Sequence, residues 1–152
     1  MILAAYRDTG YNIILLLHIA AIIAAFAPTV VNPLLERHLA RDGGAGTLQA
    51  WAGFAHGYTK RIVVGSLVLA LITGILMIVM SDELIEFSDL WISLSFLVWI
   101  AIAGVVTAMV GKGQRLVAAG DMKGRELLAK GGPIVVGLLL VALYLMIFKP
   151  GA

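Results

Sequence analysis

The chain has 152 residues, of which 61% are hydrophobic and 13% are charged, and its mean hydropathy is +1.02. Soluble domains carry about 25% charged residues, so this composition excludes an ordinary soluble domain and indicates an integral membrane protein. The sequence has no cysteine, which excludes disulfide bonds, thiolate metal sites and a cysteine nucleophile.

The first predicted element is an uncharged run near the N-terminus. No charge lies between Asp8 and Glu36, a stretch longer than the roughly 20 apolar residues that a membrane-spanning helix needs. The run therefore predicts a spanning helix over about 10–35. Pro28 lacks a backbone donor, so a kink is expected there, with the helix continuing past Pro33.

One face of this helix is small and polar. It carries His18, the one readily ionisable side chain well inside an apolar run of the chain. At about 100° per residue, three small or polar residues fall beside it, namely Ala25, Thr29 and Asn32. Polar groups are costly in hydrocarbon, so this face is predicted to pack against the other helices.

The connector over 41–59 carries its own helical pattern. Aromatic residues recur at helical spacing along it, with Trp51, Phe54 and Tyr58 on one face. This pattern predicts a short helix that lies in the membrane interface, with its aromatic rings at headgroup depth.

Two further uncharged runs predict the second and third spanning helices, over about 62–81 and 90–111. An acidic loop joins them. Small and hydroxyl residues along one face of each helix are the predicted packing residues: Ser66 and Thr73, then Ser93, Gly104, Thr107 and Ala108. The glycine and alanine four residues apart in the third span form a small-xxx-small pair, which favours close helix contact.

A polar connector over 112–130 follows, and its second half could form a short helix capped by Asp121. It leads to the fourth predicted span, over about 131–148. The predicted fold class is therefore an all-α membrane protein, a four-transmembrane-helix bundle with a short interfacial helix in the first connector. We expect a single integral membrane domain over 1–152.

Basic residues are divided unevenly between the two ends of this bundle. Nine of the eleven Lys and Arg lie in the first and third connectors, whereas Arg7 and Lys149 lie at the other end with the acidic loop. The positive-inside rule then predicts a multi-pass protein of the cell (inner) membrane, with both termini on the non-cytoplasmic side. His18 is expected in the outer half of the membrane.

His18 allows two interpretations. A neutral imidazole can ligate haem iron, which would make His18 the axial ligand of a haem b. The simpler interpretation is a hydrogen bond to a neighbouring helix, for instance to the hydroxyl of Ser93 or Thr107. A haem held by two histidines would need a second one at similar depth, and no other span contains any. The structural role is therefore favoured.

Other chemistry has less support. His38 and His56 lie on the first connector and are expected to be solvated interface residues rather than metal ligands. Every Asp and Glu lies in a loop or at the end of a span, whereas pumps and ion-coupled carriers usually place acids within the membrane. No catalytic set and no metal site is predicted.

Short motifs in the first span, the second span and the C-terminus match a known pattern: Leu17-His18-Ile19, Pro33 fifteen residues after the histidine, Lys60-Arg61, Thr73-Gly74 and Phe148-Lys149-Pro150. Together they resemble a group of small four-helix membrane proteins. It includes the bacterial membrane-bound protoporphyrinogen oxidase and the copper-resistance D-type proteins. The resemblance covers about half of the chain and implies the four-helix fold. The family's arginine after the proline is Leu34 here, so the resemblance implies porphyrin chemistry only in part.

Two classes of function remain open. The favoured one is a non-catalytic accessory or structural subunit that packs against a larger membrane complex or forms a homo-oligomer. The alternative is a haem- or porphyrin-binding membrane protein with His18 as the axial ligand. The expected partners are the lipid bilayer and other membrane subunits or a second copy, with no nucleic acid.

Overall fold

The structure, a computed structural model, describes residues 9–81 and 85–151. Every regular element within these ranges is helical, and four helices are long and apolar enough to cross a membrane. The predicted all-α four-helix bundle is therefore confirmed. The N-terminal segment with Arg7, and the start of the acidic loop at 82–84, lie outside the described residues.

The four helices are α1 over Thr9–Asp42, α2 over Gly44–Val79, α3 over Leu90–Ala118 and α4 over Lys123–Phe148. Two of them contain a π-helical segment, Thr59–Val63 in α2 and Val106–Gly111 in α3. The helices have 26 to 36 residues, or roughly 39 to 54 Å at 1.5 Å per residue. These lengths exceed the thickness of the hydrocarbon core, which is roughly 30 Å. The charged residues at the helix ends indicate that most of the extra length lies at the basic end.

The predicted interfacial helix is not a separate element. Gly44–Tyr58 is helical, but it runs through the π segment into the second span because no proline interrupts it. Its buried side chains are Ala52 and Ala55, whereas Phe54 is 64% exposed. The segment packs against α1 and against Lys112–Ala118 of α3, so it extends the bundle beyond the membrane.

The connector over 112–130 is shorter than predicted. Lys112–Ala118 extends α3, and α4 already begins at Lys123. Gly120 closes the turn with a φ of +81°, which suits glycine. The Oδ1 of Asp121 accepts a hydrogen bond from the Lys123 backbone N–H at 2.9 Å, so the aspartate does serve the start of a helix, a much longer one than predicted.

Contacts at the acidic end place the C-terminus beside the start of α3. The Lys149 ammonium lies 5.4 Å from the centre of the Trp91 ring. A Cβ on Gly151 would lie 3.3 Å from the Cβ of Leu90. The C-terminus and the acidic loop therefore share one end of the bundle, and the basic connectors form the other.

The apolar core lies in the middle of the bundle, with side chains from all four helices. Its buried members are Ala25, Val63, Leu67, Ile102, Val106 and Val135. Val63 and Val106 belong to the two π segments, so these irregular stretches are central to the packing.

The predicted packing face of α3 is turned outwards. The residues concerned are all exposed in the single chain: Ser93, Gly104, Thr107 and Ala108. The buried face carries larger side chains, namely Trp91, Ile92, Ile102 and Val106. The Thr107 hydroxyl donates to the Ala103 carbonyl of its own helix at 2.8 Å, so no unsatisfied polar group draws this face into the bundle.

At the basic end, α3 and α4 approach each other at two buried glycines. A Cβ on Gly124 would lie 2.5 Å from the Gly113 carbonyl oxygen and 2.7 Å from the Val117 backbone nitrogen. A Cβ on Gly113 would lie 2.9 Å from Leu128. Backbone-to-backbone contact is possible here because neither residue has a side chain, and it fixes how the two helices cross.

Gly124→Ala is expected to lower the free energy of unfolding by about 1–3 kcal/mol, because the new methyl group overpacks a backbone contact. Gly132→Ala is the matched control on the same helix. Its Cβ would meet nothing within 4 Å, so replacing this glycine should raise stability by up to about 1 kcal/mol. Reversible unfolding in mixed micelles measures both variants, and equal effects would contradict the close approach.

Candidate functional site

His18 is buried and faces α2. Its Nδ1 lies 3.0 Å from the Oγ1 of Thr73, which is also buried. The Thr73 hydroxyl donates its single proton to the Leu69 carbonyl at 2.7 Å, so Oγ1 accepts from His18 and the imidazole proton lies on Nδ1. A hydrogen bond to a hydroxyl of a neighbouring helix is thus present, with Thr73 as the partner in place of Ser93 or Thr107.

Two further side-chain hydrogen bonds join α2 and α3. The Trp99 indole N–H donates to the Leu67 carbonyl at 3.0 Å. At the basic end, Nδ1 of His56 donates to the Gly111 carbonyl at 3.0 Å. With the His18 bond, they make α2 the helix on which the polar contacts between the described helices converge.

The small residues predicted beside His18 follow α1 towards the basic end. Ala25 is buried in the core. Thr29 and Asn32 are half-buried and line a cavity, and Ser66 on α2 is half-buried. The predicted face of α1 therefore packs on α2 near His18 and borders open space further along.

The residues around His18 do not fit a haem. Gly74 packs against the ring, where a Cβ would lie 3.3 Å from Cε1. The Nδ1–H bond to Thr73 leaves only Nε2 as a possible iron ligand. His18 lines neither the cavity between α1 and α4 nor the groove between α2 and α3. No space for a macrocycle is therefore found beside this side chain in either cavity.

The larger cavity, of about 820 Å³, lies between α1 and α4 and reaches the basic end of the bundle. Its volume is in the range of about 300–1,000 Å³ that small-molecule sites occupy. Its deeper wall is apolar and includes Val63, Val110, Val136 and Leu140. Its mouth is charged and lies where α1 leaves its uncharged run.

Helix irregularities gather around this cavity. Pro28, Pro33 and Pro133 all lie inside helices and all line it, as do residues of both π segments. Each proline leaves the carbonyl four residues earlier without its helical donor. Single π turns inside α-helices are frequent at functional sites. Five departures from regular helix at one place mark the cavity as the candidate binding site.

The mouth of the cavity is lined by Glu36, Arg37, Arg125 and Glu126. Glu126 accepts from the Lys130 ammonium at 2.6 Å, and that contact lowers the pKa of its carboxyl. Burial raises the pKa of the Glu36 carboxyl, while the Arg125 guanidinium opposes that rise. Within the described ranges neither arginine forms a salt bridge, although the Arg125 guanidinium interacts electrostatically with the Glu36 carboxyl. The opening therefore carries both guanidinium groups and two carboxylates.

Gln114 lies in the same wall and is almost completely buried, with 1% of its surface exposed. No hydrogen-bond donor in the described chain reaches its Oε1. A buried polar atom without a partner costs about 1–3 kcal/mol. The wall of the cavity therefore contains a buried acceptor that no donor of the described chain satisfies.

The sequence pattern misses this site because its polar residues belong to span ends and connectors. Arg37 and Arg125 fall among the basic residues that predict topology, and Gln114 lies just beyond the third uncharged run. The available signal is the pair Pro28 and Pro33, two helix-disrupting residues five positions apart in one span.

The other two histidines are engaged separately. His38 lies 3.0 Å from the Asp42 carboxylate one turn away and is exposed, while His56 is bound to Gly111. Within residues 9–81 and 85–151, no group of three or more His, Asp or Glu side chains could hold a metal ion. They therefore do not come together.

No family model, curated protein or solved structure matches the chain. The resemblance to the oxidase and copper-resistance group stays a prediction.

Thr73→Val is expected to lower the free energy of unfolding by about 1–2 kcal/mol, because it leaves the buried Nδ1–H of His18 without an acceptor. Thr47→Val removes an exposed hydroxyl that donates to the Gly43 carbonyl four residues earlier, so its effect should stay within about 0.5 kcal/mol. Unfolding in mixed micelles compares the two. A loss at Thr47 as large as that at Thr73 would contradict the assigned bond.

Protein supplied with haem b during expression is expected to show no Soret band that depends on His18, because His18 lines neither cavity. An absorption spectrum in mild detergent checks this, with His18→Gln as the comparison. A band in the wild type that vanishes in the variant would restore the axial-ligand interpretation.

Proposed function

We propose that this multi-pass membrane protein is a non-catalytic subunit that works by association. Its docking surface is the outward face of α3 around Gly104, Thr107 and Ala108. It binds a second copy of the chain there, with another membrane subunit as the alternative occupant. The exposure of these small residues carries the proposal. In lipid, helices associate where small side chains let their backbones approach closely.

The composition of the face changes along α3. Towards the acidic end it presents Leu97 and Ile100, both more than 60% exposed, which suit contact with lipid chains. Towards the basic end it presents Gly104 and Ala108, one turn apart. A Cβ on Gly104 would meet nothing within 4 Å, so packing inside the chain does not require a glycine there. Close contact with a partner helix would require one.

A groove beside this face adds to the surface. It has a volume of about 300 Å³, lies between α2 and α3, and is lined by Thr107, Ala108 and Gly111 from α3 and by His56 and Thr59 from α2. A ridge of side chains on a neighbouring helix fits a groove of this kind. The small face and the groove together favour a helix as the partner.

We infer the orientation from the charges. The basic end holds nine of the eleven Lys and Arg, and the opposite end holds the C-terminus and the acidic loop. By the positive-inside rule the basic end is cytoplasmic, and both termini lie on the non-cytoplasmic side of the inner membrane.

Ala108→Cys is expected to give a disulfide-linked dimer when membranes are oxidised, because the two copies meet at this face. The chain has no other cysteine, so the product is unambiguous. Ile62→Cys, exposed on α2 near the same end, is the matched control and should stay monomeric. Adding Gly104→Leu should lower dimer formation at least tenfold while the monomer still folds. Equal cross-linking from both cysteines would contradict a specific interface between copies.

A phosphatase that is active only outside the cytoplasm should be active when fused after residue 151, and a fluorescent protein that matures only in the cytoplasm should be dark there. The reason is the excess of basic residues at the other end. The opposite pattern of activity would overturn the orientation.

A further inference from the structure

We propose that the cavity between α1 and α4 binds one phospholipid of the phosphatidylglycerol class. Its phosphate lies between Arg37 and Arg125, its glycerol hydroxyls lie near Gln114, and one acyl chain lies along the apolar wall. This site is separate in position and chemistry from the proposed docking face on α3.

The charges at the mouth favour an anionic head. Arg37 and Arg125 come from different helices and line the same opening. Neither forms a salt bridge in the described ranges, although Arg125 interacts electrostatically with the Glu36 carboxyl. Guanidinium groups bind phosphate through paired hydrogen bonds, and they do so without giving up their charge. Glu36 and Glu126 line the same opening. Because Lys130 pairs with Glu126, three cations face two carboxylates and the mouth carries a net positive charge.

The acceptors inside favour a head with hydroxyl groups. The Oε1 of Gln114 is buried and has no donor within the described chain. Pro33 and Pro133 free the carbonyls of Thr29 and Ala129, two residues that also line the cavity. Glycerol hydroxyls can donate to acceptors of this kind, whereas the oxygens of a phosphate diester cannot.

The position of the cavity favours a lipid over a free phosphate ester. It lies at the depth where α1 passes from uncharged to charged sequence, which is the headgroup region of the leaflet at the basic end. Between the mouth and the middle of the membrane, an apolar wall suits an acyl chain. It is formed by Val63, Val110, Val136 and Leu140. A soluble ester would leave that wall empty.

The test uses the whole protein in mild detergent, equilibrated with equal amounts of phosphatidylglycerol and phosphatidylethanolamine. Native mass spectrometry then counts the lipids that stay bound. Two arginine contacts correspond to a preference of about 30-fold for phosphatidylglycerol. The expected result is one retained phosphatidylglycerol per chain. Equal retention of the two lipids would overturn the proposal.

Variants separate the site from general attraction to charge. Arg37→Gln with Arg125→Gln should bring the preference to within about twofold, whereas Arg41→Gln with Arg61→Gln, which removes two exposed charges outside the cavity, should keep it. Equal losses in the two double variants would reduce the effect to the net charge of the basic end and overturn the site.

The cavity itself is tested by filling it. Gly132 lines the cavity and a Cβ there would meet nothing within 4 Å. Gly132→Leu should therefore abolish lipid retention without harming the fold. Gly65→Leu, at an exposed glycine of α2 with equally open surroundings and outside the cavity, should retain the lipid. Retention by both leucine variants would place the lipid elsewhere on the protein.

Two more ligands test which head group is bound and whether the phosphate belongs to a lipid or to a soluble ester. Phosphatidic acid, which lacks the glycerol hydroxyls, should be retained less well than phosphatidylglycerol, and Gln114→Leu should remove that difference. Glycerol phosphate added at millimolar concentration should not displace the lipid. Full displacement would show that a soluble phosphate ester is the ligand and would overturn the lipid assignment.

Discussion

Hydrocarbon offers no hydrogen-bond partners, and this constraint decides how the four helices are joined. His18 of α1 is satisfied by the hydroxyl of Thr73, and Trp99 of α3 by a carbonyl of α2. Nearer the basic end, His56 of α2 reaches a carbonyl of α3. All three bonds involve α2. They hold α1 against α2 in one half of the bundle and hold α3 against α2 in both halves. The fourth helix is placed differently, by the glycine contact between Gly113 and Gly124.

The same constraint accounts for where the helices are irregular. Backbone groups freed by prolines or π turns are tolerated at membrane depth only where protein or a polar cavity can satisfy them. In this chain they border one cavity near the charged end of the spans. Thr59 and Val106, which belong to the two π segments, line both this cavity and the groove beside the proposed docking face. A ligand in the cavity and a helix in the groove would therefore touch opposite sides of one wall.

The long uncharged runs predict the four helices correctly because hydropathy and length alone determine a span. They also place His18 and Thr73 in the bundle interior, since an isolated polar group has no other favourable position. They do not predict that α2 continues from Gly44, because the charges at Lys60 and Arg61 mark the membrane edge without ending the helix. Nor do they predict which side of Gly104 faces inwards, since small residues suit either a neighbouring helix of the same chain or a partner. The cavity forms where the ends of several helices meet. The residue pattern of a single span carries no information about how different helices meet, so the cavity could not be predicted from it.

The central claim is that the basic end holds a binding site for an anionic lipid head between α1 and α4. Solid-state NMR can measure it directly through dipolar recoupling between lipid ³¹P and ¹⁵N-labelled arginine side chains in phosphatidylglycerol bilayers. A phosphate bound by guanidinium groups lies about 4 Å from their nitrogen atoms, given hydrogen bonds of roughly 2.8 Å. The account predicts strong dephasing in the wild type that disappears in Arg37→Gln with Arg125→Gln and persists in Arg41→Gln with Arg61→Gln. Dephasing that is the same in all three proteins would contradict it.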